Sequence, residues 1–369
     1  MMRAAVVCPG RGSYGRAELG WLGRAEHDGA PAVQAREQVL AALDALRAAR
    51  GLEPLRALDG AEAFSARLHL RADHASALIF ACSATDLGLV RAAAAAGALR
   101  PVVVCGNSLG WYTALFAAGA LSLPDAARLV DTMAAIQVER GLVGGQLVYP
   151  VVEEQSWRPD PVLEGAVAEA LEAAGAAGKG LWVSIRLGGS VVLGGEEAAL
   201  RLAAERLPPL ERGGTRFPLR LAGHSAFHTR LMEPMAAEAA QRLAGLGWRA
   251  PELALVDGRG FVWRPLHADP RALAAYTLGA QVTTTYDFTL SLRVALREYA
   301  PDVLVLLGPG DTIGGPVGQT LVREGWNGIR TRADFAARQR GERPIVLSLG
   351  RPAERARVRA AAAALATAG

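Results

Sequence analysis

The chain has 369 residues, 51% of them hydrophobic and 21% charged, with a formal net charge of +4. That length asks for roughly two domains, or one large α/β domain with an insertion, and the apolar share supports a sizeable core and excludes global disorder. Almost all positive charge is arginine, Lys179 being the one lysine, and it is not clustered among aromatics as a nucleic-acid binder requires.

Ala4 to Cys8 is a short Val-rich run ended by Pro9-Gly10, read as a buried strand followed by a glycine-rich loop from Pro9 to Gly15. Val33 to Arg50 has helical spacing, and Ala75 to Ala96 is a longer apolar helix closed by Gly97. Pro101 to Pro124 carries no charge and is long enough to cross a bilayer. It holds Gly106, Asn107, Ser108 and Gly110, however, so a buried strand (Val102 to Cys105), a tight turn and a helix (Leu109 to Ala118) fit better, and no membrane partner is expected. Beyond Gly141 the texture changes. Strands at Gln146 to Val152, Leu181 to Arg186, Val191 to Leu193 and Arg216 to Leu221 alternate with helices at Pro161 to Ala174 and Glu196 to Leu207, the pattern of a small ferredoxin-like insert. A helical pattern resumes from Ala226 to Leu246, and Asp302 to Leu307 is a strand. The Arg-rich end carries a strand-like Ile345 to Leu349 and a basic helix, Ala353 to Ala366. The expected division is a large unit, 1–140 and 222–330, a small unit, 141–221, and a basic C-terminal extension, 331–369.

Cys8, Cys82 and Cys105 are scattered, an odd number with no CxxC pair, which fits a reducing cytoplasm. The N-terminal apolar run is too short for a signal peptide. The strongest local signal is Gly106-Asn107-Ser108-Leu109-Gly110, a G-x-S-x-G between an apolar strand and an apolar helix. Serine on such a turn is a nucleophile elbow, and the following helix N-terminus offers free N–H groups to an oxyanion. Of the six histidines, His27, His69 and His267 read as surface residues and His74 as a helix-start residue. His224 and His228 are four apart, but a metal site needs a third ligand, and Gly223 and Ser225 disfavour a helix there.

Four separated motifs then match one family in order. Cys8-Pro9-Gly10-Arg11-Gly12-Ser13, Gly106 to Tyr112, Ala226-Phe227-His228-Thr229-Arg230-Leu231-Met232 and Leu307-Gly308-Pro309-Gly310 resemble the motifs of the malonyl-CoA:acyl carrier protein transacylases, the acyltransferases of fatty acid and polyketide synthesis. The resemblance covers residues 3 to 325. It implies an α/β fold: a large α/β-hydrolase-like subdomain with a parallel sheet, and a small ferredoxin-like α+β subdomain. It makes Ser108 the nucleophile, His228 its base and Gln281 the residue whose carbonyl or amide oxygen orients that base. The backbone N–H groups of Leu109 and Arg11 become the oxyanion hole. The implied reaction is ping-pong transfer of an acyl group from acyl-CoA, the substrate, through an acyl-serine to the phosphopantetheine thiol of an acidic acyl carrier protein. No cofactor or metal is implied, and a monomer is expected. A hydrolase of acyl carrier protein thioesters on the same scaffold is the alternative, and a non-catalytic docking protein a third reading.

Four departures fall in functional places. Met133 stands where malonyl-specific members have a carboxylate-gripping Arg, and offers neither charge nor donor, so an uncharged acyl group is expected. Arg186 is the alternative clamp in the small unit. Asn107 and Trp111 replace a common His and Glu beside the nucleophile, and Trp111 either lines the acyl pocket or packs in the core. Arg11 replaces a Gln. Its N–H survives the change, and its guanidinium adds a group for a coenzyme A phosphate or an acyl carboxylate.

Overall fold

A computed structural model describes residues 1–363. Its large sheet has six strands in the spatial order Val262–Trp263, Ala254–Val256, Leu99–Gly106, Met2–Cys8, Val303–Leu306 and Val346–Ser348. All neighbours are parallel except the edge pair Val262–Trp263 and Ala254–Val256. The central strands are continuous apolar runs because helices cover both faces. Ala4 to Cys8 and Val303 to Leu307 are accordingly buried along their whole length. Helix Ala72–Ala95 is long and apolar enough to cross a membrane, but it is buried among the other elements of the large unit, packed by helix Ala30–Ala49. The uncharged stretch from Pro101 to Pro124 is a strand, a turn and a short helix, Gly110–Ala117.

The small unit has the strand order Leu181–Leu187, Ser190–Gly195, Gly145–Pro150, Leu219–Arg220, with every neighbouring pair antiparallel. With helices Pro161–Ala176 and Glu197–Arg206 between the strands, this is the ferredoxin-like βαββαβ arrangement read from the sequence. Alternation sorts its side chains. Leu147, Tyr149 and Leu193 pack under its own two helices, whereas Val192 and Ile185 belong to the core shared with the large unit. A fifth strand, Tyr286–Asp287, joins the sheet in parallel beside Ile185 and Arg186, although it lies well outside residues 141–221.

Residues 331–363 do not stand apart as an extension. Ile345, Val346, Leu347 and Leu349 are buried, and Val346–Ser348 extends the large sheet beside Leu304 to Leu306. The following helix, Pro352–Ala363, inserts Arg355 between two buried carboxylates: its Nε donates to Asp28 at 2.9 Å and its Nη2 to Asp86 at 2.8 Å. Asp86 in turn accepts the N–H of Gly308 at 2.9 Å. Burial opposes the charge on Arg355, but Asp86 and Asp28 outweigh it and raise its pKa. The last residues expected in this helix, 364–366, lie outside the described residues.

Candidate active site

Strand Leu99–Gly106 delivers the chain to a turn in which Ser108 has φ +53°, a conformation L-residues rarely adopt. Two glycines make the turn possible. A Cβ on Gly106 would lie 2.3 Å from the carbonyl oxygen of Gly110, and a Cβ on Gly110 would lie 2.2 Å from that of Cys8. Gly10 plays the same part in the opposing loop, where a Cβ would lie 2.5 Å from the Asn107 carbonyl oxygen. The elbow and the Pro9 to Gly15 loop are therefore in backbone contact.

Ser108 Oγ lies 2.8 Å from Nε2 of His228. The other ring nitrogen, Nδ1, lies 2.6 Å from the backbone carbonyl of Gln281. A carbonyl only accepts, so Nδ1 carries the proton and Nε2 presents its lone pair to the Ser108 hydroxyl. His228 is on a loop with φ +60°, and its own N–H donates to Val282 at 2.8 Å. The ring is buried against Tyr286, centroids 5.3 Å apart. Burial pushes its pKa down to about 4, against the opposing effect of the Gln281 carbonyl, so the imidazole is neutral at neutral pH. Among the described residues, the N–H groups of Leu109 and Arg11 have no hydrogen-bond partner. The three cysteines are buried in the core and unpaired, with thiol pKa values raised by burial.

Two hollows open at Ser108. One, about 40 Å³, is bounded by Arg11, Tyr112, Met133, Gln137, His228 and Gln281. The other, about 210 Å³, runs between the units, with Asn107 and Thr312 on one side and Gln146, Ile185 and His224 on the other. A larger groove of about 830 Å³ lies between helices Glu233–Arg242 and Pro270–Leu278, and neither Ser108 nor His228 borders it.

No family model matches the chain. It is 31% identical over 217 residues to the polyketide synthase GfsB of Streptomyces halstedii, a match covering 58% of this chain and 4% of that protein. It is 28% identical over 160 residues to the malonyl CoA-acyl carrier protein transacylase of Haemophilus influenzae, covering 43% of this chain and 47% of the relative. The crystal structure of an acyl-carrier-protein S-malonyltransferase from Burkholderia pseudomallei superimposes with a TM-score of 0.71 at 21% identity, covering 97% of this chain and all of the other. The chain shares the fold of that S-malonyltransferase. It spans only a small part of the polyketide synthase, and about half of the H. influenzae transacylase is matched.

Within the transacylase fold, the structure brings Ser108, His228, Gln281, Leu109, Arg11 and Met133 around one hollow. Gln281 acts on His228 through its backbone carbonyl. Its side chain turns the other way, Nε2 donating to the Ser108 carbonyl at 3.2 Å while Oε1 accepts from the Tyr112 hydroxyl at 3.3 Å. Asn107 borders the inter-unit cleft, its Oδ1 buried without a partner. Trp111 is no part of either hollow. It is fully buried, donates from Nε1 to Thr277 at 3.0 Å and packs edge-on against Tyr276, because the helix after the elbow turns that position into the core. Arg186 also falls away from Ser108: its side chain is 54% exposed and lies 3.7 Å from Asp287. His69 is fully buried, its Nδ1 accepting the Ser65 N–H at 3.1 Å and its Nε2 donating to the Leu58 carbonyl at 3.1 Å. His224 and His228 share no helix face, since both precede helix Glu233–Arg242, and His224 Nδ1 meets the Gln146 side chain at 3.0 Å. Sequence reasoning missed Gln137 and Tyr112. The first had a readable signal, standing four residues after Met133 on the same face of helix Leu123–Arg140.

Proposed function

We propose that the chain is an acyl-CoA:acyl carrier protein S-acyltransferase working through an acyl-Ser108 intermediate. The observation that carries this reading is the 2.8 Å contact between a serine held at φ +53° and a neutral, correctly tautomerised imidazole. Ser108 Oγ attacks the thioester carbonyl as His228 Nε2 takes its proton. The oxyanion is met by the N–H groups of Leu109 and Arg11. Coenzyme A departs as a thiol, reprotonated by His228, and the phosphopantetheine thiol of a carrier protein repeats the sequence in reverse. The names of the relatives, a carrier protein transacylase among them, support that acceptor. The inter-unit cleft of about 210 Å³ is the route by which a thioester arm reaches Ser108.

Met133 in the wall of the smaller hollow means that helix Leu123–Arg140 brings no cation to the acyl group at that position. The small volume there, about 40 Å³, favours a short acyl chain. An acidic carrier would be steered by exposed arginines such as Arg186 and Arg216, so its transfer rate should fall with ionic strength while transfer to a small pantetheine thiol should not.

The test is to incubate the protein with short-chain acyl-CoAs, weigh it intact, then add holo carrier protein. An acyl mass that appears on the wild type, is absent from Ser108→Ala and passes to the carrier supports the reading. An adduct on Ser108→Ala, or none on the wild type with any acyl-CoA, overturns it. Release of free acid in place of transfer would make the protein a hydrolase.

A further inference from the structure

We infer that Gln137 is the stop that limits the length of the acyl chain, its side chain forming the end wall of the hollow beside Ser108. This rests on the acyl-serine reading and narrows the substrate class to short acyl thioesters, with medium-length chains excluded at one named residue.

The hollow of about 40 Å³ at Ser108 and a separate outer hollow of about 270 Å³ share Gln137 as a wall residue. Ser108 and His228 border the inner one and neither borders the outer. Met133, one turn earlier on helix Leu123–Arg140, lines the inner hollow, and Val138 and Leu142, just beyond Gln137, line the outer. Gln137 itself is buried, although Val138 and Leu142 are exposed. It therefore stands where the inside of the pocket meets the outside.

The wall is fastened from the inner side. Arg11 borders the inner hollow, and all three groups that accept from its guanidinium border the outer one. Its Nη1 donates to Gln137 Oε1 at 3.0 Å, and its Nη2 to the carbonyls of Leu70 at 3.4 Å and Gly223 at 3.2 Å. Hydrogen bonds from a guanidinium are among the stronger ones, and turning Gln137 aside would leave Nη1 without its acceptor, a loss that an apolar chain end cannot make good. The partition is a fixed wall rather than a door. A cavity needs about 10–15 Å³ to hold one water, so the inner hollow takes roughly three groups of that size. The outer hollow is several times larger and largely apolar, with Leu70, Ala72, Val138 and Leu142 in its lining. Cutting Gln137 back to its Cβ would join the two spaces, because the surroundings close only partly over such a deletion.

The experiment compares acylation kcat/KM for acetyl-CoA and octanoyl-CoA in the wild type, Gln137→Ala, Gln137→Ser and Gln137→Leu. The wild type should prefer acetyl-CoA. The octanoyl-to-acetyl ratio should rise roughly 10- to 200-fold in Gln137→Ala and Gln137→Ser, the range by which a pocket wall discriminates a misfitting methylene. It should stay near the wild-type value in Gln137→Leu, which keeps the bulk of the wall. A role limited to fastening Arg11 would change both rates and leave the ratio alone. An unchanged ratio in Gln137→Ala overturns the proposal, and if that variant does not fold, an unchanged ratio in Gln137→Ser does so. A rise in Gln137→Leu as large as in the small variants also overturns it, since the limit would then be lost without loss of bulk. A wild type that takes octanoyl-CoA as readily as acetyl-CoA sinks the Gln137 assignment while leaving acyl transfer standing. No adduct with either thioester on any of the proteins sinks the acyl-serine reading itself.

Discussion

The backbone carbonyl of Gln281 lies 2.6 Å from Nδ1 of His228, and the side chain of the same residue donates to the carbonyl of Ser108 at 3.2 Å. One residue therefore touches both members of the Ser–His pair. The half that orients the base is main chain and is indifferent to the side chain.

Gln281→Ala should accordingly keep the tautomer of His228. We expect acylation to fall less than about tenfold, since the two hydrogen bonds lost, to the Ser108 carbonyl and from the Tyr112 hydroxyl, are long, neutral and away from the imidazole. A rate loss as large as that of His228→Ala would show that the side chain governs the base after all.

Replacing the base itself has a larger effect. His228→Ala should slow acylation by roughly 10²–10⁴-fold, the usual contribution of a positioned general base. Single-turnover acylation monitored by intact mass measures this, with Ser108→Ala giving no adduct.

The pH dependence follows from burial. The neutral form of His228 is the active one and its pKa is about 4, so acylation should stay level down to about pH 5 and decline below it. Stability changes earlier. The imidazole takes its proton near 6.5 in the unfolded chain and near 4 in the folded one. The unfolded state thus binds more protons in between, and stability is lost as pH falls from 6.5 towards 4. Urea unfolding across that window checks the sign. A rate that halves near neutral pH would contradict the buried, neutral imidazole.

The glycines of the elbow are steric requirements. Gly110→Ala places a Cβ 2.2 Å from a backbone oxygen that no rotamer change can move. It should cost roughly 1–3 kcal/mol, read as a shift of the urea midpoint.

Arg355→Leu removes the shared cation and leaves Asp28 and Asp86 buried. Breaking a buried pair on one side costs about 3–5 kcal/mol, so this substitution in a segment that reads as a basic extension should be among the most damaging in the chain. A loss below about 1 kcal/mol would show that water or protonation relieves the two carboxylates.

Much of this was legible in the residues. The elbow is a local pattern, with strand, turn, serine and helix within Leu99 to Ala117, and the small unit shows as alternating strands with helices between. What was not legible depends on long-range pairing. Trp111 reads equally well as pocket or core until Thr277 and Tyr276 are placed beside it. His69 looks exposed among charged neighbours, yet Leu58 and Ser65 close over it. The environment of Arg11 is assembled from Leu70, Gln137 and Gly223, which no spacing rule connects. The C-terminal strand, apolar enough to be noticed, could not declare its partner.

The two-residue strand Tyr286–Asp287 has a mechanical consequence. It is hydrogen-bonded into the small sheet beside Ile185 and Arg186, it follows closely on Gln281, and the Tyr286 hydroxyl is tied to the Gly106 carbonyl at 2.6 Å. Any swing of the small unit that widens the entrance to Ser108 must therefore tug on the short segment from which the imidazole hangs. The wall of the cleft and the imidazole beside Ser108 thus hang from one short run of main chain, so that neither can be displaced independently of the other.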